Sequence, residues 1–546
     1  MNMVRGALRA NQEVSRDQIL RLFSVSSGEA KKHREMALSY LRTFLKRPQV
    51  TASSGLEMVS RQIDAASNGN RQVAFSAYLK FLGENIIPQS SNMASPRCIG
   101  HMTSVVPGFV WTLGDLIVGL NQNLVKREAS RALTVLERKT LSMLHQAIYG
   151  RGEEFYDAQA QSNSSTLGIM TSGATISNLA ALWIARNLSL GSLEDFAGIE
   201  AEGVGAALAH YGSQQAVIIC SSFAHYSIRK AAGILGLGER NVISTPVDRR
   251  GRVDLAALQR NVDDCRHRGF RLLAIVATAG TTDCGSIDPL DEVGEIAAVA
   301  GTHFHVDAAW GAPLLFSRRY RRKLAGIQRA DSVTIDAHKQ FYLPIGNSVL
   351  LMRHPQASSV IEKQTSYMLQ EGSGDLGNRS LEGSRPGSAL LLHAALNIIG
   401  PRGYGWLIED NIRKAKVMSR KLRERGLFEL VVPPETNIVL YRYIPPGTRK
   451  KRQNGALNAS DNLFINQLNE RIQKTQSDAG RAFVSRTTVE NLPGGCSIVA
   501  LRAVLANPFT TEADIDFVIQ DQIEIAEQLL RSRSTVEAST RVGNAN

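Results

Sequence analysis

Cysteine is scarce in this 546-residue chain: five in all, standing apart at positions 98, 220, 265, 284 and 496. Neither a disulfide framework nor a zinc-ligand spacing can be assembled from them, so no metal is expected. Long hydrophobic runs are missing too. The longest, such as Leu272–Thr278 and Ala216–Cys220, have the length of a strand and fall far short of the roughly 20 residues that span a bilayer. The N-terminal MNMVRGALRANQEVSRDQ lacks the apolar stretch of a secretory signal. These absences predict a cytoplasmic protein with no membrane partner. Positive charge is in excess, a net +13, but only two short clusters, Arg318–Lys323 and Arg449–Arg452, interrupt its even spread. No recognition helix or aromatic-basic motif accompanies them, so no nucleic-acid partner is expected. A diffuse basic field does suit an anionic substrate or a cofactor phosphate.

What is present is the composition of a globular protein with a large core, 43% hydrophobic and 21% charged. Residues 1–110 read as a helical extension, with apolar residues at three- and four-residue spacing in Ala30–Leu45 and Gly55–Ala66. A further helix is expected over Arg127–Tyr149. From about 165 to 350, short β-rich runs alternate with helical segments: AVIICSS (216–222), NVISTPV (241–247), LLAIVATAG (272–280), THFHVDAAW (302–310) and SVTIDAHK (332–339). That alternation predicts an α/β large domain, 111–385, built on a mostly parallel sheet with helices on both faces. The Gly/Ser-rich stretch 366–386 reads as a mobile loop. A smaller α+β C-terminal domain is expected over 386–532, with a surface loop at 448–461 and a disordered tail at 533–546.

In a parallel sheet of this kind, ligands sit at the carboxyl ends of the strands, and there the polar residues gather. The run DSVTIDAHKQFYLPIG (331–346) places His338 and Lys339 directly after a buried strand. By itself Lys339 could be a lysine that carries its amine out to solvent; in a low-dielectric site it becomes a nucleophilic amine. TSGATISNLAAL (171–182) supplies Gly173, Ala174 and Thr175 where a helix begins, a place where small residues and free N–H groups bind phosphate. His225 follows one strand, Thr282 lies in the turn ATAGTTDCGSIDPL (277–290), and Asp307 ends another strand beside the small Ala309. A carboxylate at a buried strand end requires a partner. A phosphate cradle, a flat histidine, a carboxylate for a ring nitrogen and a lysine for an aldehyde are together the four demands of pyridoxal 5'-phosphate.

In their order and company these motifs resemble the group II pyridoxal phosphate-dependent amino-acid decarboxylases, over roughly residues 90 to 510. The DAHKQ motif and the shortened 366–386 stretch are most similar to the bacterial aspartate 1-decarboxylases of that group. The resemblance implies a fold-type I enzyme whose large domain holds a mostly parallel seven-stranded sheet. It implies that Lys339 carries the cofactor as a Schiff base, and that His338 and Gly173–Thr175 hold its phosphate. Asp307 is then the ring-nitrogen partner, with His225 and Ala309 on the two ring faces and Thr282 close by. The family's Cα proton donor is a loop tyrosine. Tyr367 lies in that region, with Tyr342 and His225 as alternatives. Arg385, in LEGSRPG, resembles the arginine that binds an acidic side chain, and His101, in GHMTS, belongs to a substrate-side segment. A homodimer with sites at the interface is implied, as is an acidic amino acid as substrate. Aspartate giving β-alanine is the expected reaction, with glutamate and then cysteine sulfinate as rivals. A catalytically silent scaffold is the reading of a different class.

Overall fold

The computed structural model describes residues 19–20, 22–23, 28–52, 56–66, 73–364, 373–490, 492 and 495–543. These form two compact units. The first joins the chain up to Ile99 with Arg471–Val484 and the chain from Phe509 onward. It contains helices Gly28–Leu45, Leu56–Ala66 and Glu512–Gly543. The two ends of the sequence are tied together here. The Val50 amide donates to the Gly480 carbonyl (2.8 Å), and the Arg97 guanidinium lies 3.6 Å from the centre of the Phe517 ring. The boundaries expected at 110 and 385 therefore do not delimit compact units. The final helix continues to Gly543, where a disordered tail was expected from 533.

The second unit, Gly100–Glu470 with Ser485–Pro508, holds both sheets. Strands β1 (Gly168–Thr171), β2 (Ala216–Ser221), β3 (Val242–Thr245), β4 (Arg271–Thr278), β5 (His303–Asp307), β6 (Ser332–Asp336) and β7 (Ser348–Met352) pair in the order β1-β7-β6-β5-β4-β2-β3. β7 runs antiparallel to both β1 and β6, and every other pairing is parallel. Six strands thus point the same way, and Thr171, Ser221, Thr278, Asp307 and Asp336 share one rim. The β1, β2, β6 and β7 strands are buried along their whole length, as near-continuous Val/Ile/Leu runs demand of a sheet covered on both faces. Helix Ala174–Ser189 lies across the sheet, burying Leu179, Ala180, Ala181, Leu182 and Ile184. Its alanines let the helix approach the strands closely.

A second sheet, ordered β10-β11-β9-β8, is wholly antiparallel, with β8 (Phe428–Val432), β9 (Ile438–Tyr443), β10 (Ser485–Val489) and β11 (Ile498–Val504). Two expectations are corrected nearby. The helix expected over Arg127–Tyr149 breaks at Arg131, whose φ of 37° lies outside the helical range, so Arg127–Ser130 and Ala132–Tyr149 are separate. The 448–461 loop is mostly helical: Pro446, its φ already helical at a first-turn position, opens helix Pro446–Gln453, and a second helix starts at Ala459.

Candidate active site

The strand carrying Lys339 ends on Asp336, which is 2% exposed and organises everything around it. Its carboxylate accepts from Lys339 Nζ (2.8 Å), from the Ala174 amide (2.8 Å) and from the Ser348 hydroxyl, and His338 Nε2 stands 3.6 Å away. Burial pushes this carboxyl up, but the charges of Lys339 and His338 and the hydrogen bonds from Lys339 and Ser348 outweigh it and hold it below its usual range. One carboxylate therefore fixes both the lysine and the start of helix Ala174–Ser189. His338 Nδ1 donates to the Asn347 carbonyl (3.1 Å), which leaves Nε2 facing inward.

That helix start is open. Among the described residues nothing accepts from the amides of Gly173 or Thr175, and a Cβ at Gly173 would meet no atom within 4 Å. The neighbouring Ser172 amide already holds an anion, the Glu382 carboxylate (2.9 Å). Free amides at a helix N-terminus with a histidine beside them suit a phosphate.

Asp307, 5% exposed at the end of β5, accepts from the Asn178 amide (2.8 Å) and the Ala309 amide (3.1 Å). Both donors are neutral. Among the described residues no cation forms an ion pair with it, the situation that a protonated ring nitrogen would complete. His225 is linked to it through Ser227: His225 Nδ1 lies 2.9 Å from Ser227 Oγ, and Asn178 donates to that same hydroxyl (2.9 Å). Burial lowers the His225 pKa, opposed by Asp307 and reinforced by Lys339. The imidazole thus senses both the strand-end acid and the lysine. These residues fit pyridoxal phosphate: a lysine, a phosphate cradle, and an acid and a flat imidazole on one rim.

On the substrate side lies an arginine that the sequence reading missed. Arg502, in β11, donates Nη1 to the Thr282 carbonyl (2.6 Å) and Nε to Ser485 Oγ (2.8 Å). Its pKa is lowered by burial, offset in part by Asp283. Its charge reaches His101, whose pKa is lowered by burial and then by Arg502, His338 and Lys339. Arg502 thus touches Thr282, and His101 feels the charges of Arg502, His338 and Lys339 together. The turn that delivers Thr282 requires Gly280, whose φ of +99° is left-handed and whose absent Cβ would press on Trp310.

Two expected residues do not join this group. Both Nη atoms of Arg385 are bound to the Glu137 carboxylate at 2.6 Å, so its charge is neutralised inside the protein. The Tyr342 hydroxyl donates to the Ala506 carbonyl (2.8 Å) and accepts from Asn411 (2.8 Å), and burial raises its pKa; a proton so held is not delivered to a substrate. Tyr367 lies outside the described residues. The remainder of the 366–386 stretch is not loose: Arg379 is bound to Glu362 (2.8 Å), and Asp375 accepts from the Arg127 amide (2.7 Å). A cavity of about 620 Å³ lined by Arg271, His303, Asp331 and His354 opens at the opposite ends of the strands and contains none of the expected site residues.

Residues 72–444 match the model of the pyridoxal-dependent decarboxylase conserved domain. The chain belongs to this family. It is 39% identical over 522 residues to the aspartate 1-decarboxylase of Aliivibrio fischeri, covering 94% of this chain and 95% of the relative. It is 27% identical to an L-2,4-diaminobutyrate decarboxylase of Acinetobacter baumannii, over 82% and 83% of the two chains. With the human acidic amino acid decarboxylase GADL1 it shares 30% identity over 66% of each. Among solved structures, mouse CSAD in apo form has the same fold: TM-score 0.79 at 23% identity, with 92% of this chain and 99% of the other covered. Rice TDC with PLP and tryptamine matches with a TM-score of 0.77 at 19% identity, over 95% and 99%. The protein is a pyridoxal phosphate-dependent amino-acid decarboxylase with the fold-type I architecture expected of it.

Proposed function

We propose that the decarboxylase acts on L-aspartate and removes its α-carboxylate to give β-alanine and carbon dioxide. The observation that supports this reading is the half-buried Arg502 guanidinium, which donates to the Thr282 carbonyl and whose charge acts on His101, as do those of His338 and Lys339. A half-buried arginine whose Nη2 has no hydrogen-bond partner among the described residues is suited to bind a carboxylate. The naming of the A. fischeri relative as an aspartate 1-decarboxylase supports the same choice.

Pyridoxal phosphate, when bound, supplies an aldehyde that condenses with amines and a ring that accepts the electron pair left by carbon dioxide. The chain does the rest. Lys339 Nζ is the amine that would hold the aldehyde, and Asp336, 2.8 Å from it, would position that amine. His338 Nε2 and the amides of Gly173 and Thr175 hold the phosphate. Asp307 would keep a proton on the ring nitrogen, an electrostatic effect, since a positive ring stabilises developing negative charge. His225 and Ala309 would hold the ring. Arg502 and His101 would orient the substrate. The His225 Nδ1 atom accepts from the Ser227 amide (3.4 Å) and faces its hydroxyl. Its proton therefore sits on Nε2, available for Cα, and Tyr367 is the alternative donor.

Two copies of the chain are part of this proposal. Helix Gly108–Leu120, which belongs to the unit holding the site, leaves Trp111, Leu116, Val118 and Leu120 exposed. Large apolar side chains exposed on both sides of one helix are suited to burial against a second copy.

Competition among aspartate, glutamate, cysteine sulfinate and L-2,4-diaminobutyrate, at equal concentration with purified protein, tests the substrate. β-Alanine as the main product is expected. Predominant γ-aminobutyrate would retain Arg502 as a carboxylate ligand and overturn the substrate; predominant diaminopropane would overturn both.

A further inference from the structure

Behind Asp307 runs an unbroken chain of hydrogen bonds that no step above has used. His303 Nε2 lies 2.7 Å from Ser332 Oγ, and the same hydroxyl lies 2.8 Å from His305 Nδ1. His305 Nε2 lies 3.1 Å from Asn178 Oδ1, and Asn178 Nδ2 reaches Asp307 Oδ2 at 2.8 Å and Ser227 Oγ at 2.9 Å. Ser332, His305, Asn178 and Ser227 are all buried, the last three with no exposure at all.

The direction of every proton in this chain follows from Asp307. A carboxylate only accepts, so Asn178 must present its NH2 to it, and the second amide hydrogen goes to Ser227. Asn178 Oδ1 is thereby turned to His305, which must carry its hydrogen on Nε2. His305 Nδ1 is then an acceptor and takes the Ser332 hydroxyl hydrogen. Ser332 in turn accepts from His303. Burial, followed by the charge of His303, pulls His305 down to about 3, so it stays neutral and keeps this single tautomer. Were the hydrogen on Nδ1, two lone pairs would face each other at Asn178. The amide would then be driven to turn its oxygen towards Asp307.

Resting on the reading of Asp307 as the ring-nitrogen partner, we infer that His305 and Asn178 are positioning residues that orient Asp307 and reserve one of its carboxylate oxygens for the cofactor ring. Asn178 ties down Oδ2, and the Ala309 amide lies on Oδ1 at a longer 3.1 Å. Because both donors are neutral, the acid's full negative charge is left to hold a proton on the ring. The same amide, through Ser227, sets the His225 proton on Nε2. One asparagine therefore fixes both the acid that would face the ring nitrogen and the imidazole that would lie against the ring.

The test uses full-length holoenzyme carrying pyridoxal phosphate labelled with nitrogen-15 in the ring, without substrate. The ring-nitrogen resonance reports whether that atom is protonated, and cofactor affinity is measured alongside by titrating apoprotein. In Asn178→Leu and His305→Leu the resonance should move towards the unprotonated value, with at least a tenfold loss of cofactor affinity. His305→Gln, whose amide NH2 can replace Nε2–H, should restore both. Asp307→Asn is the reference for full loss. Leucine variants with the wild-type resonance, beside an Asp307→Asn that moves it, would overturn the inference and leave the Asp307 reading standing. An Asp307→Asn that changes nothing would overturn both. Failure of His305→Gln to restore the resonance would assign the effect to lost packing and also overturn the inference. If the leucine variants do not fold, Ser332→Ala decides the matter by removing only the hydrogen bond that fixes the His305 tautomer: a shift in the same direction supports the inference, and an unchanged resonance overturns it.

Discussion

Arg385 and Glu137 form a buried two-pronged ion pair, Nη1 to Oε2 and Nη2 to Oε1, with side chains 8% and 0% exposed. Removing one partner of such a pair leaves a buried charge without compensation, at about 3–5 kcal/mol. Arg385→Ala is expected to lose stability on that scale in chemical denaturation, with little change in the KM for aspartate where the variant remains folded. Arg502→Gln should do the reverse, raising KM at least thirtyfold, about 2 kcal/mol for a lost charged hydrogen bond, with a near wild-type denaturation midpoint. A large KM increase in Arg385→Ala at unchanged stability would return the substrate to Arg385.

Asp336 joins Lys339 to the Ala174 amide. Asp336→Ala should loosen the lysine and the phosphate cradle together. The expected result is a loss of cofactor affinity of at least tenfold, about 1.4 kcal/mol, measured by titrating apoprotein with pyridoxal phosphate. Unchanged affinity would mean that the helix start is held without this carboxylate.

His145 is enclosed between the Tyr156 hydroxyl (2.9 Å) and the Met352 carbonyl (3.1 Å), and burial pulls its pKa down to about 4. The unfolded chain takes up this proton near pH 6.5, whereas the folded protein does so only near 4. Stability is therefore full above pH 6.5 and falls as the pH drops from there towards 4, by about 1.4 kcal/mol per pH unit for this one proton. His145→Gln should flatten the stability–pH curve by that slope between pH 6 and 5. A parallel curve, merely displaced, would refute the assignment.

Val118 is 78% exposed in helix Gly108–Leu120 and Leu116 is 50% exposed. Val118→Glu combined with Leu116→Glu should convert the dimer proposed above to a monomer in light scattering. A wild-type protein that is already monomeric at micromolar concentration would remove the dimer from the account.

Much of this was legible in the sequence, and the rest was not for physical reasons. The strands of the large sheet were visible because a sheet buried on both faces requires continuous apolar runs, and Asp307 and Lys339 stood out at their ends. Asn178 and His305 were hidden in the same way as each other. Each is a single polar residue inside a buried element, meaningful only once helix Ala174–Ser189 is laid against β5. Arg502 carried a signal that went unread: a lone arginine between Leu501 and Ala503 in the otherwise apolar run of β11. Arg385 was read from its motif, and only its long-range partner Glu137, 248 residues earlier in the chain, shows what neutralises it. The ends of the chain misled because their packing on each other has no local signature.

The central claim is loss of the α-carboxylate of aspartate, and it is tested most directly with aspartate labelled with carbon-13 at C1 or at C4. Labelled carbon dioxide from the C1 substrate alone, with β-alanine formed in equal amount and both abolished in Lys339→Ala, is the predicted result. Labelled carbon dioxide from C4 with alanine as product, or unimpaired turnover in Lys339→Ala, would contradict the account.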